Sequence, residues 1–242
     1  GIRSFVNGMG ELPERLELGL RGRIELHLNS PVRGVTPHQN GVTVLRAEAQ
    51  SSEFSDVVIA TTARAAATLL GEAFGAPAQA LQASASLSSL TVSLAFPKAA
   101  ILHPLDGSGF IVPAPEQLAG LRAVSFSSSK LPHRAPAGQA LLRSFFRPSD
   151  HDLATLSDGA WAARAEQALG RALRISGQAH LALVSRWPNA LPVFDDAHRA
   201  RVAALSEALC GQHIWLAGSA FHGSGIDAAI RSAESAAKAL AS

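Results

Sequence analysis

Residues Ala217-Gly-Ser-Ala-Phe-His-Gly-Ser-Gly-Ile-Asp-Ala-Ala-Ile-Arg-Ser-Ala233 carry the most chemically suggestive spacing in the chain. An apolar run, Ile214 to Ala217, ends at Gly218, and a short polar turn follows. Gly223-Ser224-Gly225 then opens a segment whose apolar residues Ile226, Ile230, Ala233, Ala237 and Leu240 recur at three- and four-residue intervals. That period predicts a helix. A helix start flanked by glycines presents backbone N–H groups without intrahelical partners, together with the positive end of the helix dipole. Such an end suits an anion or the electron-rich edge of a cofactor. Turn geometry alone would also call for these glycines, so the residues admit both readings.

Little else in the chain advertises chemistry. His222 sits within the turn and His198 reads as a helix-surface histidine; neither is assigned a proton-transfer role. No Ser/His/Asp arrangement is legible, and no His, Asp or Glu fall at metal-ligand spacing. No side chain is therefore designated catalytic, and no metal is expected. Cys210 is the single cysteine, which excludes an internal disulfide. Lys130, His133 and Arg134 form a small basic cluster, read either as a solvated loop or as a contact for an anionic group or membrane surface. With 47% hydrophobic and 17% charged residues over 242 positions, the chain is globular, and its formal net charge of +2 leaves no footprint for nucleic acid. No apolar run is long enough for a transmembrane helix. The opening residues, Gly1-Ile-Arg-Ser-Phe5, lack an initiator Met, and sequence upstream is expected.

The positioning elements follow from periodicity. A helix is expected over 9–22, with Leu12, Leu16 and Leu20 on one face, and an alternating strand over Ile24–Leu28. Val32–Val35 and Val42–Ala47 read as strands joined at Asn40-Gly41, a hairpin signal. Asp56–Ala60 has the continuous apolar character of a strand covered on both faces, and an alanine-rich helix over about 63–71 follows. Alternating strands are expected at Leu90–Phe96, Phe110–Val112, Arg122–Phe126, Ala140–Phe146 and Leu181–Trp187. Helices are expected over 157–174 and 195–209. This order predicts a mixed α/β chain of two interleaved domains, 1–62 with 186–242 and an inserted antiparallel sheet with helices over 63–185. A strand–Gly-x-Gly-x-x-Gly–helix unit is absent from the sequence.

Five segments together resemble the C-terminal half of bacterial-type protoporphyrinogen oxidases, within the flavin amine oxidase superfamily. They are Asn7-Gly-Met-Gly-Glu-Leu-Pro-Glu-Arg-Leu16; the hairpin from Asn29-Ser-Pro-Val32 through Gly41-Val-Thr-Val44 with Asp56-Val-Val-Ile-Ala-Thr61; Ser127-Ser-Ser-Lys-Leu-Pro-His-Arg-Ala-Pro-Ala-Gly138 with Leu141-Leu-Arg143; Arg186-Trp-Pro-Asn-Ala-Leu-Pro192; and the terminal motif. The resemblance implies the second part of an FAD-binding, Rossmann-like domain with an inserted substrate domain. It also implies an oxygen-using oxidation of protoporphyrinogen IX or coproporphyrinogen III in haem biosynthesis. Site residues carried over are Val32 at the adenine of FAD, Ser219, Ser224, Gly225 and Ile226 at the flavin, and Trp187 beside flavin and substrate cavity. The basic cluster would then lie near the porphyrin propionates or a membrane surface. Implied partners are a porphyrinogen and an N-terminal half carrying the glycine-rich fingerprint, with self-association and peripheral contact at the inner membrane face as further expectations for a cytoplasmic enzyme. Departures from the family pattern are Asn7 for a glycine, Gly225-Ile-Asp-Ala-Ala-Ile230 without the usual Pro and Cys, and Val193-Phe194 where Gln-Tyr is common. Rival readings are an amine oxidase or desaturase-type relative, and a flavin-less interaction domain.

Overall fold

A computed structural model describes residues 4–47, 50–116 and 120–241. In chain order the elements begin with α1 (Glu11–Leu20), β1 (Val32–His38), β2 (Gly41–Arg46), β3 (Ser51–Phe54), β4 (Val57–Ile59) and α2 (Ala63–Gln82). Next come β5 (Ser86–Pro97), β6 (Gly109–Ile111), β7 (Leu121–Phe126), α3 (Ser127–Lys130), β8 (Gln139–Phe146), α4 (Asp150–Thr155) and α5 (Asp158–Leu173). The chain closes with β9 (Leu181–Pro192), α6 (Asp196–Ala208), β10 (Ile214–Leu216) and α7 (Ile226–Leu240). The mixed α/β class stands. The chain divides into two compact units, Gly1–Glu25 with Ser88–Asn189, and Leu26–Leu87 with Ala190–Ser242.

These units differ in their bounds from the expected domains, 1–62 with 186–242 around 63–185. Helix α2 was expected in the insert, but Ala66, Leu70 and Leu81 are buried in one cluster with Val35, Val42 and Leu205 of the second unit. Burying that apolar face is what decides its allegiance. The helix is also longer than its pattern predicts, because it continues past an interruption at Gly75 (φ 45°, ψ −116°), two residues before Pro77. At the other boundary, the Arg134 guanidinium donates to Phe5 O, Val6 O and Ser4 Oγ, tying the start of the chain to the first unit.

In the second unit, β1, β2 and β3 form an antiparallel sheet; the expected hairpin is present, but His38 pairs with Gly41, so its two-residue turn is Gln39-Asn40, one residue earlier than expected. β4 pairs in parallel with β10 alone, Ile59 opposite Leu216. Val58 is 41% exposed, so the expected burial of this strand on both faces does not hold among the described residues. The first unit holds a five-stranded sheet in the order β6-β7-β8-β5-β9. One face is sealed by α5, whose Trp161, Ala165, Leu169 and Leu173 meet Leu90, Val92, Leu94 and Phe96 of β5 and Leu142 and Phe146 of β8. Spacings of four along α5 and two along β5 are those the sequence displays.

One local expectation fails. Ile24–Leu28 alternates, yet only Ile24 bridges, to Arg21; alternation supplies no neighbouring strand to bond with. Along α7 the buried residues are Ser232 and Ala236, whereas Ile226, Ile230 and Leu240 are exposed. The Ser232 hydroxyl accepts from Gly218 N at 3.1 Å and fixes which side of α7 faces the preceding turn.

Candidate cofactor site

Parallel pairing of β4 with β10 sets the carboxyl ends of two strands side by side. Ala217 N donates to Ile59 O at 3.0 Å, so Ala60-Thr61 and Ala217-Gly218 leave the pair together. Each strand feeds a helix, α2 through its N-cap Thr62 and α7 through Gly225. In open α/β sheets ligands bind at such carboxyl edges. The Thr62 hydroxyl accepts from Ala65 N, which caps α2. The start of α7 has no side-chain cap. Gly225 adopts φ 96°, ψ 166°, and a Cβ there would meet no heavy atom within 4 Å. Glycine is thus required at this position by backbone conformation rather than by crowding. Uncapped N–H groups and open space are what an electron-rich ligand edge needs.

Val32 lies at the same end of the second unit. It begins β1 opposite Arg46, and the register with β2 shifts between Val32 and Gly34, a bulge of the kind that re-aims a strand end. Val32 lines a cavity of about 550 Å³ with Val44, Ile59, Ala60, Thr61 and Leu69. The predominantly aliphatic wall suits a flat heterocycle. Ser219, Ser224 and Ile226 are all exposed around the turn. The structure thus gathers Val32, Ser219, Ser224, Gly225 and Ile226 into the second unit. It leaves Trp187 in the first, 54% exposed on β9. The residues present fit a flavin, whose electron-rich ring edge suits the open head of α7.

The turn is held by residues that sequence reasoning undervalued. His198, read as a surface residue, is completely buried. Its Nε2 lies 3.0 Å from Ala220 O; a carbonyl only accepts, so Nε2 carries the hydrogen. The ring packs edge-on against Phe194 at 5.4 Å between centroids, and Nδ1 has no partner among the described residues. The missed signal was spacing: His198 falls in register with buried Val202, Leu205 and Leu209 on α6. The base of β10 is tied by His213 Nδ1 to Asp56 Oδ1 at 3.1 Å. His222 is exposed. Within the basic cluster, Arg134 is consumed by the chain's own carbonyls and is no free anion contact. Among the described residues, no group of His, Cys, Asp and Glu could hold a metal ion, and no helix is long and apolar enough to cross a membrane.

The sequence matches the flavin containing amine oxidoreductase family over residues 1–241. It is 31% identical over 233 residues to coproporphyrinogen III oxidase of Propionibacterium freudenreichii subsp. freudenreichii, covering 93% of this chain and 42% of the relative. Against coproporphyrinogen III oxidase of Bacillus subtilis (strain 168) the identity is 29% over 191 residues, covering 77% and 38%. The chain therefore spans about two-fifths of the length of these curated relatives. Its fold matches that of a protein assigned as a protoporphyrinogen oxidase from Exiguobacterium sp. 255-15, with a TM-score of 0.84 at 24% identity, over 98% of this chain and 51% of the other. Putrescine oxidase bound to putrescine matches with a TM-score of 0.67 at 17% identity, over 98% and 53%. The match over residues 1–241 makes the chain a member of the flavin containing amine oxidoreductase family.

Proposed function

We propose that the chain is the C-terminal portion of an FAD-dependent oxidase of porphyrin biosynthesis, acting on coproporphyrinogen III or protoporphyrinogen IX. The observation that carries the flavin reading is the uncapped start of α7 beside the paired carboxyl ends of β4 and β10. Backbone at Val32 would hold the adenine in the aliphatic cavity. Ser219, Ser224, Gly225 and Ile226 would meet the ring system, with Trp187 on the substrate side. N–H groups at the head of α7 favour negative charge at the ring edge they face. Bound flavin supplies a two-electron acceptor that molecular oxygen regenerates. A porphyrinogen gives up six hydrogens on becoming a porphyrin, which corresponds to three such cycles. The side chains named here bind, orient and exclude water, and none is assigned a proton.

Because the Gly-x-Gly-x-x-Gly unit lies outside this sequence, a polypeptide carrying it is the proposed partner for the diphosphate. The test is the visible spectrum of the purified chain after incubation with FAD and desalting, alone and with such an N-terminal half supplied. Retained flavin absorption under either condition is expected, and a chain colourless under both would overturn the reading. One observation favours a second role as an interaction domain: Ile226, Ile230 and Leu240 leave an apolar stripe of α7 open. Tight association with the N-terminal half and no flavin retained by the pair is its signature.

A further inference from the structure

The five-stranded sheet of the first unit has a second face, and β8 runs through its centre. Ala140, Leu142, Ser144 and Phe146 are buried towards α5, so Leu141, Arg143 and Phe145 point the other way. Register sets Arg143 opposite Ser93 on β5 and opposite Ser125 on β7. An arginine thus stands between two serines across the strands and between Leu141 and Phe145 along its own. On β9, Arg186 is held on the α5 side by Asp158 and by Leu156 O at 2.8 Å. Alternation then carries Leu183 and Trp187 to the Arg143 face, where both are more than half exposed.

Arg143 is itself exposed, and its Nε donates to Ser93 Oγ at 3.1 Å. That single bond fixes the plane of the guanidinium, while the Nη groups have no partner among the described residues. The five strands contain no Asp or Glu, and Arg143 makes no ion pair among the described residues. A cation oriented by a neighbour, lacking a counter-ion and surrounded by apolar and hydroxyl groups has the form of a receptor for a carboxylate. Arginine presents two parallel donors to both carboxylate oxygens. Leu141, Phe145, Leu183 and Trp187 add apolar and aromatic surface for the pyrrole rings of a macrocycle.

We infer that Arg143, on this face, anchors one carboxylate of a large tetrapyrrole macrocycle. The inference rests on the porphyrinogen reading and specifies which surface recognises the acid side chains. Coproporphyrin III, a stable and fluorescent tetracarboxylate, is the probe, with its tetramethyl ester as the uncharged control. Both are titrated into the full chain and into Arg143→Met and Arg143→Lys, with folding followed by circular dichroism. Loss of a charge-assisted pair should weaken binding of the acid by roughly tenfold or more in Arg143→Met. Arg143→Lys should fall between, and the ester should bind wild type and Arg143→Met alike. Equal affinity of wild type and Arg143→Met for the acid would overturn the Arg143 assignment alone. An equal loss for the ester would overturn it too. Failure of the wild-type chain to bind either porphyrin would overturn both the assignment and the proposed substrate class, while the flavin test stands separately.

Discussion

Replacing His198 by leucine isolates what holds the β10–α7 turn. The substitution keeps an apolar volume beside Phe194 but removes the donor to Ala220 O, 3.0 Å away and fully buried on the histidine side. A buried carbonyl left unpaired costs about 1–3 kcal/mol. Leucine also removes the unpartnered Nδ1, a buried polar atom whose loss returns about 1 kcal/mol. The net expectation is a destabilisation of up to about 2 kcal/mol. His198→Gln places an amide nitrogen close to the position of Nε2 and should restore the bond, keeping its cost below about 1 kcal/mol. Urea unfolding followed by circular dichroism measures both values. Hydrogen exchange across 217–225 should quicken in His198→Leu and stay near wild type in His198→Gln, and FAD retention should follow the same order. If both variants unfold together, or if His198→Leu is as stable as wild type with unchanged exchange, the carbonyl bond does not organise the turn.

Three further perturbations probe the two units. Trp161→Ala empties a fully buried site that meets Phe146 edge-on at 5.3 Å; a loss of about 3–5 kcal/mol is expected in urea unfolding. Trp161→Phe should recover much of it, because it also removes an indole N–H without a partner among the described residues. Gly109 has φ 142°, and an added Cβ would lie 2.0 Å from Val124 O. Gly109→Ala should therefore cost about 2 kcal/mol or more and raise hydrogen exchange along β6; wild-type stability would contradict the β6–β7 register. Arg134→Gln should quicken exchange of residues 4–9, which Arg134 holds by three donated bonds. It should leave porphyrin affinity unaltered, in contrast to Arg143→Met.

Much of the local structure was legible because neighbouring residues decide it. The β1–β2 hairpin was readable, its observed turn Gln39-Asn40 lying one residue before the expected Asn40-Gly41; the helix caps Thr62, Ser149, Ser157 and Asp195, seen in the structure, are also set by adjacent residues. Trp161, Ala165, Leu169 and Leu173 announced the buried side of α5. The strand–turn–helix around Gly218–Gly225 was also readable, as was the family resemblance through Ser127–Gly138 and the terminal motif. Burial was different. The period of α7 marked a helix but not its buried side: the Ser232–Gly218 bond turns Ser232 and Ala236 inward and leaves Ile226 and Ile230 outside. His198 looked solvent-facing by residue type and is enclosed by Phe194 and the returning turn. Arg134 and Arg143, nine residues apart on neighbouring segments, have opposite fates: one is spent on the chain's own carbonyls, the other stands in register between Ser93 and Ser125. Periodicity and capping are properties of contiguous residues, and the sequence determined them. Which side chains are enclosed, paired or left open depends on strands and turns that meet from distant parts of the chain, and only the tertiary structure decided that.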